Sequence, residues 1–216
     1  MAETPVLAVE VQALFNQPHL CATGAHSDSG RAWMQSLPVA ASIVGDSLEL
    51  RPLEPGDFDA LYNVASDPLI WAQHPSPTRY QETVFREWFK EALTSNSVLV
   101  VIDRSSGKVV GSSRYYEFNE KTREVAIGYT FLAREKWGGG ANAELKRLML
   151  EHAFQWVDTV WFHIAAQNIR SQRAMEKIGG KFSHSSIKQL AIGTQENFFY
   201  KVERATFARR HSVSDT

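Results

Sequence analysis

The stretch Phe131-Leu132-Ala133-Arg134-Glu135-Lys136-Trp137-Gly138-Gly139-Gly140-Ala141-Asn142-Ala143-Glu144 decides the reading of this chain. An apolar strand runs into three glycines. The glycines open a helix whose stripe is Leu145, Leu148, Met149, His152 and Trp156. Glycine lets a backbone come close to a ligand and take otherwise strained angles. The first N–H groups of a helix lack intrahelical partners, and the helix dipole adds partial positive charge there. A phosphate or pyrophosphate is the natural guest. A plain glycine-rich loop before a helix is the alternative that composition alone leaves open.

The turn is not a P-loop, because no glycine here precedes Lys-Ser or Lys-Thr at the required spacing. Gly138, Gly140 and Ala143 formally match a dinucleotide fingerprint. That reading needs an acid at the end of the next strand, and Ile164-Ala165-Ala166 has none. The strand before the turn also belongs to a hairpin meander rather than a parallel sheet. Both grounds exclude a nicotinamide dinucleotide.

Outward from the turn, the pattern predicts β-α-α-β-β-β-α-β-α-β-β. Leu48, Leu50 and Leu53 mark a first strand, and Asp57 is placed to cap a helix carrying Phe58, Leu61, Tyr62 and Ala65. Thr78-Arg79-Tyr80-Gln81 reads as a capping box before a helix with Phe85, Trp88, Phe89 and Ala92 on one face. Val98 to Ile102, Val109 to Tyr116 and Val125 to Leu132 form a meander. Val160 to Ile164 reads as a strand buried on both faces. Asn168 starts a helix that Gly179-Gly180 ends, and Phe182 to Leu190 pairs with Asn197 to Val202 around Gly193. This is a mixed α/β (α+β) fold with a mostly antiparallel sheet and helices on its faces.

Residues 1–36 read differently, with a short helix expected over Val6 to Phe15 and then Pro18, Gly24 and Gly30 breaking periodicity. Met34 stands as a candidate alternative start, which would make the leader an extension. The polar tail, residues 207–216, is expected to fray.

The 216 residues are 44% hydrophobic and 22% charged, which suits one domain with an extra segment. A net charge of -1 gives no support for nucleic acid or an anionic membrane as partner. Cys21 is the single cysteine, so neither an intrachain disulfide nor a cysteine zinc cluster can form, and a reducing cytoplasmic home is the easy reading. No stretch has the roughly 18 to 20 apolar residues of a spanning helix. Glu3 and Glu10 stand where a signal peptide carries positive charge.

Trp137-Gly138-Gly139-Gly140-Ala141-Asn142 before a helix resembles the pyrophosphate-binding motif of the GNAT superfamily of N-acetyltransferases. It is most similar to the branch of ribosomal-protein-alanine acetyltransferases, where a Trp-Gly-x-Gly start is common. Asn168-Ile169-Arg170-Ser171 and Ala174-Met175-Glu176-Lys177-Ile178-Gly179-Gly180 resemble that branch's second signature. Leu50-Arg51-Pro52-Leu53 with Asp57 resembles its first strand and helix, and Ala126-Ile127-Gly128-Tyr129 its fourth strand. The likeness spans about Leu48 to Thr206, so an N-acetyltransferase domain is expected over residues 37–206. The chain departs from the pattern at Asn142 (usually Gly or Ala) and Trp137 (usually Arg or Gln). Met175 stands where many members have a thiolate-protonating Tyr, and Ala126 where a strand glutamate is common.

The resemblance implies acetyl transfer from acetyl-CoA to an amine, with acetyl-CoA as cosubstrate and no metal. It implies that backbone at Phe131 and Leu132 binds pantetheine and polarises the thioester. The pyrophosphate would sit over Trp137, Gly138, Gly139, Gly140, Ala141 and Asn142, with Asn168 on the CoA arm. An ammonium acceptor must lose a proton, and Glu117, Glu124 and Glu196 are the candidate bases. Glu124 shares a strand face with Ala126. Ser171 could donate to the CoA sulfur, or it could simply serve its helix start. Trp71, His74, Arg79 and Tyr80 would form the acceptor wall and Tyr115, Tyr116 and Phe118 the facing side; such aromatics could equally be core. His163 has no second ligand at metal spacing. A monomer or homodimer acting on an amine is the expected enzyme. A catalytically silent acetyl-CoA-binding or interaction module of the same fold is the rival.

Overall fold

The computed structural model describes residues 36–39, 41–74, 76–189 and 194–212. The expected helix at Val6 to Phe15, the candidate start at Met34 and the turn at Gly193 lie outside these. The elements are β1 (Ile43–Val44), β2 (Leu48–Pro52), α1 (Phe58–Ala65), α2 (Pro68–Trp71), α3 (Glu82–Ser95), β3 (Val98–Asp103), β4 (Lys108–Asn119) and β5 (Glu124–Leu132). They continue as α4 (Ala141–Ala153), β6 (Thr159–Ala165), α5 (Ile169–Ile178), β7 (Lys181–Gln189), β8 (Thr194–Glu203) and α6 (Arg204–Ser212).

One sheet runs in the order β1-β2-β3-β4-β5-β6-β8-β7. Every neighbouring pair is antiparallel except β5 and β6. Strand alternation divides the core. Leu99, Val101, Tyr115, Val125, Ile127, Val160 and Phe162 pack with α4, Met175 of α5 and Phe207 of α6. Val98, Val100 and Phe131 face the other way, against Leu61, Trp71, Phe85, Trp88 and Phe89 of α1, α2 and α3.

Several sequence expectations change. β6 is buried on one face only: Val160, Phe162 and Ile164 are buried, whereas Trp161 and His163 are half-buried. The helices α1 to α3 cover the sheet as far as Phe131 and stop short of β6. Thr78 does not open a capping box. The Gln81 amide bonds to the Thr78 carbonyl at 2.9 Å, Gln81 is extended, and α3 begins at Glu82. Asp57 does not cap α1 with its side chain. It accepts from Arg51 Nη1 and the Glu54 amide, each at 2.8 Å, and so ties β2 to the start of α1. The chain is helical through Arg204–Ser212, which takes in the first part of the tail expected to fray; the Phe207 ring packs tilted against Phe154 with ring centres 5.3 Å apart.

Candidate functional site

The glycine turn is open. A Cβ placed on Gly138, Gly139 or Gly140 would meet no atom within 4 Å, and Gly138 has φ +75°. Gly140 is the N-cap of α4 and gives no side-chain cap. The first amides of α4 therefore have neither an intrahelical partner nor a side chain of the N-cap upon them. Flanking contacts hold the turn in place. Trp137 Nε1 donates to the Leu132 carbonyl at 3.0 Å, and Lys136 pairs with Asp103 at 2.9 Å. Arg134 pairs with Asp67. Glu144 accepts from the Ser47 and Leu48 amides at 2.8 and 3.1 Å, which fixes the first turn of α4 to the β1–β2 hairpin. A cavity of about 520 Å³ borders Gly140, Ala141 and Ala143, with Arg147 and Lys177 on its wall. Arg170 lies over the Trp137 ring at 4.1 Å, bringing the first turn of α5 to the glycine turn.

Beside this turn, β5 leaves its parallel partner. The β5–β6 pairs are Glu124 with Thr159, Val125 with Val160 and Ala126 with Trp161, and pairing ends there. The β4–β5 register then slips between Ser112 and Arg114, and Tyr129 takes φ +53°. A bulge in β5 thus stands where β5 and β6 have parted. The Ala133 amide bonds to the Val110 carbonyl on the β4 side. Alternation turns the Leu132 amide the opposite way, towards the opening. An open anion cradle that leads to free strand backbone can hold a long phosphorylated ligand and polarise a carbonyl on it.

The acceptor-wall residues lie on the α1–α3 side of this opening. Trp71 is buried, with Nε1 donating to the Ala65 carbonyl at 2.7 Å, and its ring lies 5.3 Å from Phe131. The Arg79 guanidinium lies between the rings of Trp71 and Trp88, at 5.3 and 5.8 Å, and burial lowers its pKa to about 10. His74 Nδ1 accepts from the Ser76 amide at 2.9 Å, which leaves its proton on Nε2. Burial first, then the charge of Arg79, lowers the His74 pKa to about 3, so the ring is a neutral donor. Tyr80 is half-buried, and its carbonyl accepts from Tyr62 Oη at 3.3 Å. Tyr116 packs on Tyr129 and His163, with ring centres 5.3 and 5.4 Å away, and burial raises its pKa well above the usual phenol value. Tyr115 points to the opposite face of the sheet. Its hydroxyl donates to the Met149 carbonyl at 2.7 Å within the α4-side core. Strand alternation accounts for the difference between these neighbours.

The structure separates the candidate acids. Glu124 shares the Ala126 face, but its carboxylate accepts from Thr122 Oγ1 at 3.0 Å, in the β4–β5 turn. Tyr129 is five residues further along β5, roughly 16 Å of strand away. Glu196 is exposed on β8, one residue from Asn197, the partner of Ala165. Alternation puts Glu196 on the sheet face opposite Trp161, His163 and Phe199. Glu117 sits in a second irregularity, in β4 at φ +52°, and its carboxylate lies 3.9 Å from His163 Nδ1. Asn168 caps α5, its Oδ1 accepting from the Ser171 amide at 3.1 Å, and Ser171 is half-buried. Sequence reasoning missed Arg114, Tyr129 and Lys146. Arg114 reads as an ordinary polar position in an alternating strand, and nothing in Ile127-Gly128-Tyr129-Thr130 announces a bulge. The Lys146 ammonium is hidden in an otherwise regular helix stripe.

Residues 47–181 match the family model described as acetyltransferase (GNAT) domain. The chain therefore belongs to the GNAT family of acetyltransferases and is an acetyl-CoA-dependent acyltransferase by family. A GCN5-related N-acetyltransferase from Brucella melitensis is 20% identical, with a TM-score of 0.70 over 80% of this chain and 82% of that one. Spermidine N-acetyltransferase from Vibrio cholerae, solved with CoA and spermine, is also 20% identical, with a TM-score of 0.61 over 75% and 98%. Mycobacterium smegmatis RimJ, solved with CoA-disulfide, is 14% identical, with a TM-score of 0.60 over 74% and 83%. These likenesses concern the fold. Among the described residues no helix is long and apolar enough to cross a membrane.

Proposed function

We propose that this chain transfers an acetyl group from acetyl-CoA to a primary amine of a small molecule or a protein N-terminus. The observation that carries this reading is the open glycine turn at the uncapped start of α4, set against a strand that has parted from its neighbour. Acetyl-CoA, when bound, supplies the activated acyl group. Main chain from Trp137 to Asn142 would hold its diphosphate, and the cavity walled by Arg147 and Lys177 gives room beside it. Main chain at Phe131 and Leu132 would hold the arm and polarise the carbonyl. Asn168 orients the first turn of α5, and the Ser171 hydroxyl is the candidate donor to sulfur.

Trp71, His74, Arg79, Tyr80 and Tyr116 form the acceptor side. The Glu117–His163 pair is the best-placed proton acceptor for the incoming ammonium, because His163 stands on the parted section of β6 beside Tyr116 and Glu117 follows Tyr116 on β4. Glu124 and Glu196 remain weaker candidates, for the reasons of placement given above. A cytoplasmic enzyme accords with the single cysteine.

One observation favours a second reading, a silent acetyl-CoA-binding module: Met175, in the position of the usual tyrosine, is buried in the α4-side core. Calorimetric titration with CoA tests the shared premise. Gly140 has φ -76° and open space at its Cβ position, so Gly140→Trp is accepted by the fold while covering the cradle. Wild type should bind CoA and the variant should lose about tenfold or more in affinity; equal affinity contradicts the placement. Free-thiol release over an amine panel then separates the enzyme from the silent module.

A further inference from the structure

Four buried polar atoms without a hydrogen-bond partner among the described residues lie together on the α1–α3 side of the sheet: Arg79 Nε, Trp88 Nε1, Arg114 Nε and Ser112 Oγ. The Trp88 ring lies 5.8 Å from the Arg79 guanidinium and 5.9 Å from Phe131, which pairs with Ser112. Arg114 is two residues further along β4 and lies over the Tyr129 ring at 5.1 Å. Buried polar groups are nearly always satisfied, so a cluster of exceptions calls for a missing partner. Three of these atoms are N–H donors on side chains that have no acceptor at all. A partner that offers several acceptor oxygens, as a carboxylate does, satisfies these donors together.

Charge points the same way. Arg114 pairs with Glu91 at 3.0 Å, whereas Arg79 has no ion-pair partner among the described residues and only a 3.4 Å contact with Ser76 Oγ. His74 adds a neutral Nε2–H donor in the field of Arg79. Glu91 and Glu117 stand on the Arg114 side, and Arg79, with no ion pair of its own among the described residues, is the cationic end of the nest beside the β5 bulge.

We propose that Arg79 and Arg114, with Trp88 Nε1 and Ser112 Oγ, form a receptor for a carboxylate on the acceptor, so that the amine acetylated is that of a free amino acid or a similar amino-carboxylate. This rests on the reading of this face as the acceptor side. Arg114 also lines a cavity of about 160 Å³ with Tyr116 and Glu117, so one guanidinium of the receptor and an acid for the ammonium border the same small space. A planar guanidinium fork matches a carboxylate better than an ammonium point charge does.

The test uses the full chain, acetyl-CoA and matched pairs: L-phenylalanine with phenethylamine, L-histidine with histamine, and L-lysine with cadaverine. The carboxylate member should have the higher kcat/KM by about tenfold or more, because a site built to bond a group rejects the analogue lacking it. Arg79→Met should raise KM more for the carboxylate member than for its partner, so that the ratio within each pair falls, and be partly rescued by Arg79→Lys. Arg114→Met provides the same comparison should Arg79→Met fold poorly. If no amine in the panel turns over, tryptophan fluorescence of the CoA-saturated protein compares N-acetyl-L-phenylalanine with N-acetylphenethylamine. Tighter binding of the former, weakened by either variant, supports the receptor. Equal rates and equal binding within pairs overturn it and leave ordered water as the partner of these donors. CoA binding by calorimetry is read separately. A normal CoA titration without carboxylate preference sinks only the receptor; absent CoA binding sinks the acetyltransfer reading instead, and the fluorescence comparison repeated on the free protein then decides the receptor.

Discussion

Lys146 Nζ, buried beneath α4, donates a 2.7 Å hydrogen bond to Thr130 Oγ1 in the β5 bulge. Thr130 Oγ1 in turn lies 2.7 Å from Ser113 Oγ on β4, and the Phe162 ring of β6 stands 5.6 Å from the amine. The link thus joins the helix that begins at the glycine turn to the three strands around the opening. No carboxylate pairs with this amine among the described residues, and burial lowers its pKa to about 7.

Below pH 7 the folded and unfolded states both carry the Lys146 charge, and the folded state bears the full cost of burying it. Between pH 7 and the ordinary lysine value of 10.5, only the unfolded state holds the proton, so wild-type stability rises with pH. Lys146→Met should raise stability by about 1–4 kcal/mol at pH 6, and the advantage should shrink by pH 9. Urea unfolding at the two pH values checks this; an advantage that grows with pH contradicts it.

His74 has a folded pKa near 3 against an ordinary 6.5. The unfolded state takes up a proton first as pH falls, so this residue lowers stability progressively from pH 6.5 down to 3. Nitrogen-15 NMR should show a neutral ring protonated on Nε2 down to about pH 4. An imidazolium at pH 5 would mean that the ring is not held against the Ser76 amide and Arg79.

A Cβ on Gly111 would come within 2.2 Å of the Phe131 carbonyl oxygen, which is backbone and cannot swing aside. Gly111→Ala is therefore expected to cost about 1–3 kcal/mol and to displace Phe131 and Leu132. Thermal unfolding measures the first effect. CoA titration measures the second, with weaker binding expected in the folded variant. A variant as stable as wild type rules out the close approach.

Burial raises the Asp57 pKa, but the Arg51 hydrogen bonds, the Glu54 amide and the Arg51 charge outweigh it and hold the carboxyl below its usual value. Its stabilising effect is present above about pH 4 and disappears as pH falls through the lower folded value. Asp57→Asn should cost about 1–3 kcal/mol at pH 7 and reduce the acid dependence below pH 4. Parallel acid titrations followed by circular dichroism decide it: identical curves mean that the pair does not anchor α1 to β2.

The meander, the glycine turn and the crossover helices are legible in the sequence because their signals are local. Val98 to Ile102 is continuous and β-branched, and Gly138 to Gly140 precede an apolar helix stripe. Thr78 opens no capping box because Arg79 and Tyr80 are drawn into contacts with Trp71, Trp88 and Tyr62 that no spacing rule encodes. The bulge at Tyr129 depends on register across two strands, and the convergence of Arg79, Trp88, Ser112 and Arg114 on tertiary packing of a loop, a helix and a strand. Tyr115 and Tyr116 look alike in sequence; only the register of β4 assigns one to the core and the other to the opening.

The most direct measurement is a crystal structure of the full chain grown with coenzyme A. The account predicts the diphosphate on main-chain amides of residues 138–142 and the pantetheine beside Leu132, in the gap that opens beyond Ala126 and Trp161. Coenzyme A seated elsewhere, or a gap closed by side chains of β5 and β6, would contradict it.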